Sequence, residues 1–324
     1  MNMLGLNSIP CPYCLRDIDK SAYRCSNPVC NRDVDPSYVN HYSNHPAFFV
    51  PLLGMTGVGK TIYLQTLMLT LRQINRLWDQ ASTVPVDQKT ASYIKRAKRM
   101  YDTRKIPDMT QDDDVYMMYL QNVLPWRDLT LIFRDLPGEN YRDFTFSDDV
   151  TRFLSERPIL FMMLPLSEVL SCQYNVDELI CNYIHTERSL SNRILQKPKH
   201  IIIILSQADK VNMAEMPGSI RTYLYDDDVW NRLKSKSPPV HSTTFITSYL
   251  RKVRVNSQKI SKELRHELSP INALAAHEKI KLHYCVVSSL GRPLTGGALT
   301  GPIHPYRVLD PLLLALGLGG EKKQ

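Results

Sequence analysis

Residues 48–61 read Phe-Phe-Val-Pro-Leu-Leu-Gly-Met-Thr-Gly-Val-Gly-Lys-Thr, and this stretch decides the fold. An apolar run is followed by a glycine, four free residues, and then Gly59, Lys60 and Thr61. This is the pattern of a phosphate-binding loop. Its glycines let backbone N–H groups approach phosphate oxygens, Lys60 adds a positive charge, and Thr61 can place its hydroxyl on magnesium. The stretch therefore predicts a strand, a phosphate loop and a helix in that order.

The residues on either side of the loop agree with this prediction. Pro51 interrupts the expected strand, since a proline removes one ladder hydrogen bond. After the loop, apolar residues recur at the spacing of a helix with one buried face. They are Leu64, Leu67, Met68, Leu71, Ile74 and Leu77. A glycine-rich turn without a ligand is the alternative, and the strand–loop–helix context disfavours it. The predicted phosphate-binding residues are Gly54, Thr56, Gly57, Val58, Gly59, Lys60, Thr61 and Ile62.

The composition is that of a globular protein with room for one large domain and one small one. The 324 residues are 43% hydrophobic, and no apolar run approaches the length that a bilayer span needs. The amino-terminal residues lack the basic region and apolar core of a signal peptide. We therefore expect a cytoplasmic protein without a membrane span.

The chain is basic, with a net charge of +8 and a pI near 9.0. Basic residues concentrate in residues 89–105 and 251–265. Neither cluster has aromatic residues interleaved at a spacing that suggests base stacking. Solvated faces of amphipathic helices are therefore the favoured interpretation of both clusters. Nucleic-acid binding stays open as an alternative.

Four of the seven cysteines lie in the first 30 residues. Cys11 and Cys14 form one pair with two residues between them, and Cys25 and Cys30 form a second pair with four between them. Two tight turns that each offer two thiolates predict a tetrahedral four-sulfur site for zinc. The metal would supply most of the folding free energy of so short a segment. Two disulfides, four inert thiols and a rubredoxin-like iron site are the alternatives.

A second apolar strand ends in residues that suit magnesium and phosphate. Residues 129–139 read Leu-Thr-Leu-Ile-Phe-Arg-Asp-Leu-Pro-Gly-Glu, which places Asp135 at the strand tip. Asp135 can hold magnesium directly or through water, and the Gly138 N–H can meet a terminal phosphate. Residues 115–124 are also β-prone, and the turn at residues 125–128 predicts a hairpin between the two strands.

Two further strands end in residues that suit a nucleotide base. Residues 201–205 are four isoleucines and a leucine, typical of a strand buried on both faces, and Asp209 follows them. The Asp209 carboxylate can accept hydrogen bonds from the N1–H and the exocyclic amine of guanine, a pair that adenine lacks. Residues 284–291 contain the last strand, whose small hydroxyl residues are placed to bring backbone N–H groups to the guanine O6.

The order of these motifs resembles the P-loop GTPases of the Ras and translation-factor (TRAFAC) class. The run from Asp135 to Glu139 and the cysteine pairs further resemble the bacterial zinc-ribbon GTPases of the double-GTPase type, associated with conflict and antiviral defence operons. This resemblance implies an α/β fold with a mostly parallel sheet, one antiparallel edge strand and a small amino-terminal zinc ribbon. It also implies GTP or GDP and magnesium as ligands, with zinc in the ribbon.

The resemblance assigns roles residue by residue around the phosphates. Lys60 matches the lysine that binds the phosphates and supports catalysis. Thr61 and Asp135 match magnesium ligands. Thr110 matches the first-switch threonine, which meets both magnesium and the γ-phosphate, and Thr83 is its rival for that role.

The remaining matches concern catalysis and the base. Gly138 matches the second-switch glycine, and Glu139 stands where many fast GTPases carry a glutamine that orients water. A glutamate there is unfavourable beside the γ-phosphate, so slow intrinsic hydrolysis is expected. A surface residue without a catalytic role is the alternative for Glu139. Ser206 and Gln207 replace the usual Asn/Thr and Lys, which weakens guanine selectivity. The predicted base-side residues are Gln207, Asp209, Ser288, Ser289 and Leu290.

The motifs also predict how the chain is divided. A basic helix is expected around residues 249–268, and a last helix at residues 306–318. The predicted segments are a zinc ribbon at 1–42, a GTPase domain at 46–318, helical insertions near 166–199 and 211–280, and a disordered tail at 319–324.

The sequence therefore predicts a cytoplasmic, magnesium-dependent GTPase switch that hydrolyses GTP slowly until a partner protein supplies an arginine. A non-hydrolysing, nucleotide-loaded scaffold is the alternative. In that version the ribbon and the 211–280 insertion bind a partner protein or nucleic acid. An ATPase of another P-loop class is disfavoured, because the chain lacks an evident sensor arginine or a strand that ends in paired acids.

Overall fold

Two β-sheets and eight helices make up the described part of the chain. The computed structural model describes residues 9–106, 114–123, 125–135, 158–172, 200–226, 229, 231, 243–294, 299 and 301–319. Within them the strands are β1 (Ile18–Asp19), β2 (Arg24–Cys25), β3 (Ala47–Leu53), β4 (Ser82–Pro85), β5 (Asp114–Gln121), β6 (Leu129–Asp135), β7 (Ile159–Pro165), β8 (His200–Ser206) and β9 (Lys281–Val286). The helices are α1 (Pro36–His41), α2 (Lys60–Leu71), α3 (Gln88–Thr103), α4 (Leu166–Leu170), α5 (Gly218–Tyr225), α6 (Thr243–Glu263), α7 (Ser269–His277) and α8 (Asp310–Gly319).

The larger sheet has seven strands in the order β4-β5-β6-β3-β7-β8-β9. Pairing is parallel from β6 through β3, β7 and β8 to β9. Only β5 runs the other way, since it is antiparallel to both β4 and β6. The mostly parallel α/β sheet is thus confirmed, and so is the hairpin of β5 with β6.

The antiparallel strand β5 differs from the prediction in one respect: it does not lie at the edge of the sheet. The edge strand is β4, which pairs along β5 from Ser82 to Pro85. Sequence reasoning missed β4 because it is only four residues long and ends in a proline. Thr83 of this strand is buried, while Val84 is 44% exposed.

Pro51 lies in the middle of the sheet, where strand β3 changes its pairing partner. The register of β3 with β6 runs from Ala47 to Pro51, and that with β7 covers Leu52 and Leu53. The missing N–H of the proline therefore falls where the ladder passes from one neighbour to the other, which limits its cost.

Both faces of the sheet are covered by helices. Strand β8 shows this most clearly, because Ile202 and Ile204 belong to one buried cluster while Ile201 and Ile203 belong to another. Helices α2 and α8 contribute to the first cluster, and α5 and α7 to the second. The prediction of a strand buried on both faces is therefore confirmed.

Helix α2 is covered on more than the one face that its apolar spacing predicted. Its polar residues Gln65, Thr66 and Thr70 are buried as well. Helix α3 packs along it, and the hydroxyl of Thr66 donates to the Ser289 carbonyl oxygen at 3.4 Å. The prediction of a single buried face was wrong, because periodicity counts apolar residues and cannot register polar ones covered by later segments.

The helices of the carboxyl half lie close to their predicted positions. The basic helix expected around residues 249–268 is α6, and the last helix is α8. Of the predicted insertion at 166–199, the structure describes α4 and Ser171–Cys172, and residues 173–199 lie outside the described residues. Among the helices that are described, none has the length and apolarity that crossing a bilayer requires.

Candidate functional site

The phosphate loop connects β3 to α2 at the carboxyl edge of the sheet. Gly57 and Gly59 have φ values of 84° and 89°, in the left-handed region that favours glycine. At Gly54 a Cβ would lie only 2.9 Å from the Cγ2 atom of Val58 and 3.2 Å from the Met163 carbonyl oxygen. These positions need glycine, because the loop curls tightly above the neighbouring strand β7.

The Lys60 side chain folds back over its own loop. Its Nζ donates to the Gly54 carbonyl oxygen at 2.5 Å and to the Met55 carbonyl oxygen at 3.1 Å. The side chain is only 7% exposed, so these carbonyls offset much of the cost of burying its charge. Phosphate oxygens entering the loop would compete for the same ammonium group.

The two predicted magnesium ligands of the described chain lie on neighbouring elements. Thr61 is the second residue of α2, and Asp135 is the last residue of β6, which pairs with β3. Tyr93 of α3 lies near both, since its hydroxyl donates to the Thr61 carbonyl oxygen at 3.3 Å. Burial, and then the Asp135 carboxylate, raise the pKa of Tyr93. A cation beside Thr61 and Asp135 would meet a buried carboxylate and a hydroxyl, which suits magnesium.

The residues predicted for catalysis are only partly within the described chain. Thr110, Gly138 and Glu139 lie outside the described residues, so their roles stay predictions. Thr83, the rival of Thr110, is 4% exposed, and its hydroxyl donates to the Leu71 carbonyl oxygen at 2.9 Å. That bond joins β4 to the end of α2 and gives the Thr83 hydroxyl a structural partner.

The carboxyl end of β8 and the residue after it brace the phosphate loop. Ser206 lies 2.8 Å from the Val58 carbonyl oxygen and 3.1 Å from that of Leu164, and its hydroxyl can donate to either. The Gln207 side-chain amide donates to the Gly57 carbonyl oxygen at 2.5 Å. From the sequence, Ser206 was seen only as a replacement in the usual motif, and Gln207 was predicted to lie on the base side. That their side chains hold the loop was not predicted, and the Gln207 contact links residues 150 positions apart.

Asp209 and Ser288 meet at the ends of two adjacent strands, β8 and β9. The Ser288 hydroxyl donates to Asp209 Oδ1 at 2.5 Å, and the Gly291 N–H donates to the same hydroxyl oxygen at 2.9 Å. Burial raises the pKa of Asp209, and the bond from Ser288 opposes that rise. The arrangement orients a carboxylate to accept further N–H donors.

The turn that carries Ser289 and Leu290 is held by a later segment of the chain. The Ser288 N–H donates to the Tyr306 carbonyl oxygen at 3.1 Å, and the His304 N–H donates to that of Leu290 at 3.0 Å. Gly291 has a φ of 77°, and a Cβ there would lie 1.9 Å from the His304 carbonyl oxygen. Close approach by residues 304–306 therefore fixes the turn beside Asp209.

The four amino-terminal cysteines come together as predicted. Their sulfur atoms all lie within 4.8 Å of one another; Cys11 and Cys30 are 4.0 Å apart, and Cys14 and Cys25 are 3.3 Å apart. None of them is in a disulfide. A tetrahedral zinc site with Zn–S bonds near 2.3 Å has sulfurs about 3.8 Å apart. The donor set and its spacing therefore fit zinc, and four sulfurs leave no open position for catalysis.

The thiols of this cluster oppose one another's ionisation. Burial raises the pKa of Cys30 to about 12 and also raises that of Cys25, while a hydrogen bond from Cys11 lowers the pKa of Cys14 to about 5. One thiolate is thus favoured, and further thiolates need a compensating cation. A bound divalent cation would supply that compensation.

The cysteine cluster packs directly on the large sheet, and no pattern in the sequence predicted this contact. Arg134, fully buried in β6, donates from Nη1 to the Tyr13 carbonyl oxygen at 2.7 Å. Tyr13 lies between the first two cysteines, and Arg134 immediately precedes Asp135. Around this bond, Phe49, Ile132 and neighbouring apolar residues join the cysteines in one buried cluster. The ribbon therefore touches the strand that ends at the predicted magnesium ligand.

Comparisons with known proteins give only distant likenesses. No protein-family model matches the sequence, and no curated protein matches it either. Among solved structures, the chain is similar to the S. cerevisiae Ski7 GTPase-like domain bound to GTP, at 16% identity and a TM-score of 0.37, over 86% of this chain and 51% of that one. It is also similar to GDP-bound aIF5B from Aeropyrum pernix, at 14% identity and 0.34, over 84% of this chain and 35% of that one.

A third likeness is to a chain of the signal recognition particle receptor SRb-GTP/SRX complex from Chaetomium thermophilum. The identity is 14% and the TM-score 0.33, over 76% of this chain and 92% of that one. The present chain spans about half of the Ski7 chain and about a third of the aIF5B chain. What supports a nucleotide site is the placement of this chain's own residues.

Proposed function

We propose that this chain binds a guanine nucleotide with magnesium at the carboxyl edge of its large sheet. Two hydrogen bonds taken together support this proposal most strongly. One joins Gln207 to Gly57, and the other joins Ser288 to Asp209. The first contact ties Gln207 to the phosphate loop, and Asp209 follows Gln207 by two residues, which supports a single site for the phosphates and the base. Phosphates would meet Lys60 and the loop N–H groups, and the base would meet Asp209.

Guanine is the base we propose, because of what Asp209 can accept. Its carboxylate, held by Ser288 on one oxygen, retains acceptor sites for the N1–H and the amine of guanine. Adenine offers an acceptor at N1 and would face the carboxylate unfavourably. Magnesium held by Thr61 and Asp135 would neutralise charge on the terminal phosphates, as in other phosphoryl-transfer sites.

Competition binding tests the base assignment. A fluorescent GDP analogue bound to the protein with magnesium should be displaced by GTP and GDP at concentrations at least about a hundredfold below those of ATP and ADP. Equal displacement by ATP would reject the guanine assignment and leave the phosphate site in place. Failure of any nucleotide to bind would reject the whole proposal.

Hydrolysis is the finer part of the proposal, and we expect it to be slow in the isolated protein. Glu139 lacks the amide donor of a water-orienting glutamine, and its charge would oppose the γ-phosphate. A partner protein that supplies an arginine would correct this. Phosphate release in single-turnover assays, with magnesium and excess protein, measures the intrinsic rate. The bacterial defence setting implied by the resemblance, and a cytoplasmic location, remain predictions.

A nucleotide-loaded scaffold is the second candidate function, and the ribbon contact favours it. Arg134 joins the cysteine cluster to the strand that ends at Asp135. A change at Asp135 between the GTP-bound and GDP-bound forms could therefore alter the ribbon surface that a partner protein binds. Tight GTP binding with no phosphate release under any condition would support the scaffold over the enzyme.

A further inference from the structure

A basic groove lies on the carboxyl half of the molecule, away from the phosphate loop. It has a volume of about 870 Å³ and is bounded by α6, α7 and β9. Four of its lining residues are cations, namely Arg254, Lys262, Arg265 and Lys281. Part of the basic cluster at residues 251–265, interpreted from sequence as a solvated helix face, thus lines a concave surface.

This groove is separate from the candidate nucleotide site. Lys281 opens strand β9, and Ser288, on the base side of the nucleotide site, follows the other end of the same strand. The lining residues of β9, Lys281 to Tyr284, lie roughly 13 to 23 Å of extended chain from Ser288. None of the described residues assigned to the nucleotide site lines the groove.

The lining of the groove is positive and rich in hydrogen-bond donors. No aspartate or glutamate lines it among the described residues, while three serines, Gln258 and Asn272 do. The side chains of Lys262, Arg265 and Lys281 form no ion pair with any residue that the structure describes. These cations are therefore available to an anionic ligand, since no carboxylate in the described chain competes for them.

Hydrogen bonds between the walls hold the groove in shape. The Tyr284 N–H donates to the Ser257 hydroxyl oxygen at 2.7 Å, and the Tyr284 hydroxyl donates to Asn272 Oδ1 at 2.8 Å. These bonds join β9 to α6 and to α7. Because the oxygen of the Asn272 amide is engaged, its NH₂ group is left as the donor for a ligand.

His283 belongs to the lining of the groove. Burial, and to a lesser degree electrostatic interactions with His200, Arg254 and Lys281, lower the pKa of His283 to about 4. His283 is therefore neutral near pH 7 and does not add a fifth cation to the groove.

We propose that this groove binds a small polyanion, a molecule that carries two or more phosphate groups, at a second site independent of the phosphate loop. The volume falls in the range of small-molecule sites. Lys262, Arg265 and Lys281 line one groove, and Arg254 lines it too while donating to the Gly317 carbonyl oxygen. Several cations in one groove match a group of negative charges better than a single phosphate. Single-stranded nucleic acid is disfavoured, because the aromatic residue of the lining, Tyr284, is only 2% exposed and offers no face for base stacking.

Calorimetric titration with inorganic triphosphate tests this proposal. The protein is first saturated with GDP and magnesium, and the same titration is repeated on Lys60→Ala, which weakens the phosphate loop independently of any nucleotide. We expect one equivalent of triphosphate to bind in both cases. If the guanine-nucleotide proposal fails, the Lys60→Ala titration still reports on the groove alone.

A pair of matched variants separates the groove from general surface charge. The triple variant Lys262→Gln, Arg265→Gln and Lys281→Gln should weaken triphosphate binding at least about tenfold. The control Arg251→Gln, Lys259→Gln and Lys279→Gln removes three exposed cations outside the groove and should keep the affinity within about twofold. Because all six side chains are exposed, thermal melts should be nearly unchanged.

Three outcomes would overturn the proposal. One is the absence of triphosphate binding outside the phosphate loop. Another is equal weakening in the groove variant and its control, which would show a diffuse charge effect. The third is displacement of triphosphate by oligothymidylate with an affinity that rises with chain length, which would make the groove a nucleic-acid surface.

Discussion

The phosphate loop and the cysteine cluster are both short loops shaped to surround a ligand, but they are held in opposite ways. Around the phosphate loop, Ser206 and Gln207 occupy the loop carbonyls from outside, and Lys60 does so from within. In the cysteine cluster the four sulfurs face one another. Burial raises the pKa of Cys25 and Cys30, while a hydrogen bond from Cys11 lowers that of Cys14.

This difference teaches where each site obtains its order. Protein hydrogen bonds preorganise the phosphate loop, so the nucleotide that we propose would gain affinity from a shape that folding has already established. The cysteine cluster has hydrogen bonds of its own, since Asn27 donates to the sulfurs of Cys14 and Cys25, but further thiolates need a compensating cation. We therefore expect the metal to take part in folding the cysteine cluster, and a nucleotide to bind a phosphate loop that is already folded.

Removing the metal should produce the largest effect, and it should affect the cysteine cluster but not the phosphate loop. Structural zinc contributes about 10–16 kcal/mol of apparent binding free energy in small metal-dependent domains. Chelation, or the variant Cys14→Ser, should therefore unfold residues 9–34 and abolish the stoichiometric zinc measured by elemental analysis. Hydrogen exchange should rise in peptides from this segment and stay slow in peptides that span residues 54–71.

The exposed Cys172 provides the control for that experiment, because Cys172→Ser removes a thiol without touching the cluster. It should retain one zinc per chain. Equal exchange in the ribbon with and without zinc would show that packing on the sheet, through Arg134 and its apolar neighbours, suffices to fold the ribbon.

The second prediction concerns the loop that needs no metal to fold. Lys60→Ala removes the ammonium group that would meet the terminal phosphates, so GDP and GTP affinity should fall by about 3 kcal/mol, on the order of a hundredfold. Fluorescent-nucleotide titration measures this. The exposed Lys98 of α3 supplies the matched control as Lys98→Ala, which should bind normally. A comparable loss in both variants would place nucleotide binding elsewhere on the protein.

The features of both loops that could be predicted from the sequence are those encoded by contiguous motifs. Residues 54–61 and the paired cysteines predict their local shape, because spacing alone fixes which groups a tight loop presents. The parallel sheet follows from apolar runs that each end in polar residues. Thus the phosphate loop, the hairpin of β5 with β6 and the doubly buried strand β8 were all predictable.

The contacts between distant segments could not be foreseen from one sequence. The Gln207–Gly57 bond spans 150 positions and the Arg134–Tyr13 bond spans 121, and neither residue type announces such a partner. Strand β4 was missed because its four residues leave too little periodicity to detect. The burial of polar residues on α2 was missed because part of their cover comes from distant segments, as where Thr66 bonds to Ser289.

The third prediction concerns base selectivity in the candidate nucleotide site. Asp209→Asn exchanges a hydrogen-bond acceptor for a donor beside Ser288. GTP should therefore bind about tenfold to a hundredfold more weakly. Xanthosine triphosphate, which has an oxygen in place of the guanine amine, should bind more tightly. Competition titrations with both nucleotides measure this inversion. Asp102→Asn on the exposed side of α3 is the matched control. Unchanged preference in the Asp209 variant would mean that the base is read by other residues.

The smallest effect tests the brace itself. Gln207→Ala removes one hydrogen bond to the Gly57 carbonyl and leaves Lys60, Asp209 and the loop sequence intact. A typical hydrogen bond contributes about 1 kcal/mol, so nucleotide affinity should fall about fivefold. The loss should appear equally for GTP, GDP and inorganic triphosphate in the phosphate loop, because the brace shapes the loop and not the base contact.

The size of that common loss decides how far the phosphate loop is preorganised by its neighbours. Gln88→Ala, an exposed glutamine at the start of α3, should leave all affinities unchanged. If Gln207→Ala instead weakened GTP and GDP but spared triphosphate in the loop, Gln207 would act on the base, as the lysine of the usual motif does. The contrast with the metal-held ribbon would then rest on Ser206 and the loop glycines, whose contacts with β7 and β8 need no ligand to form.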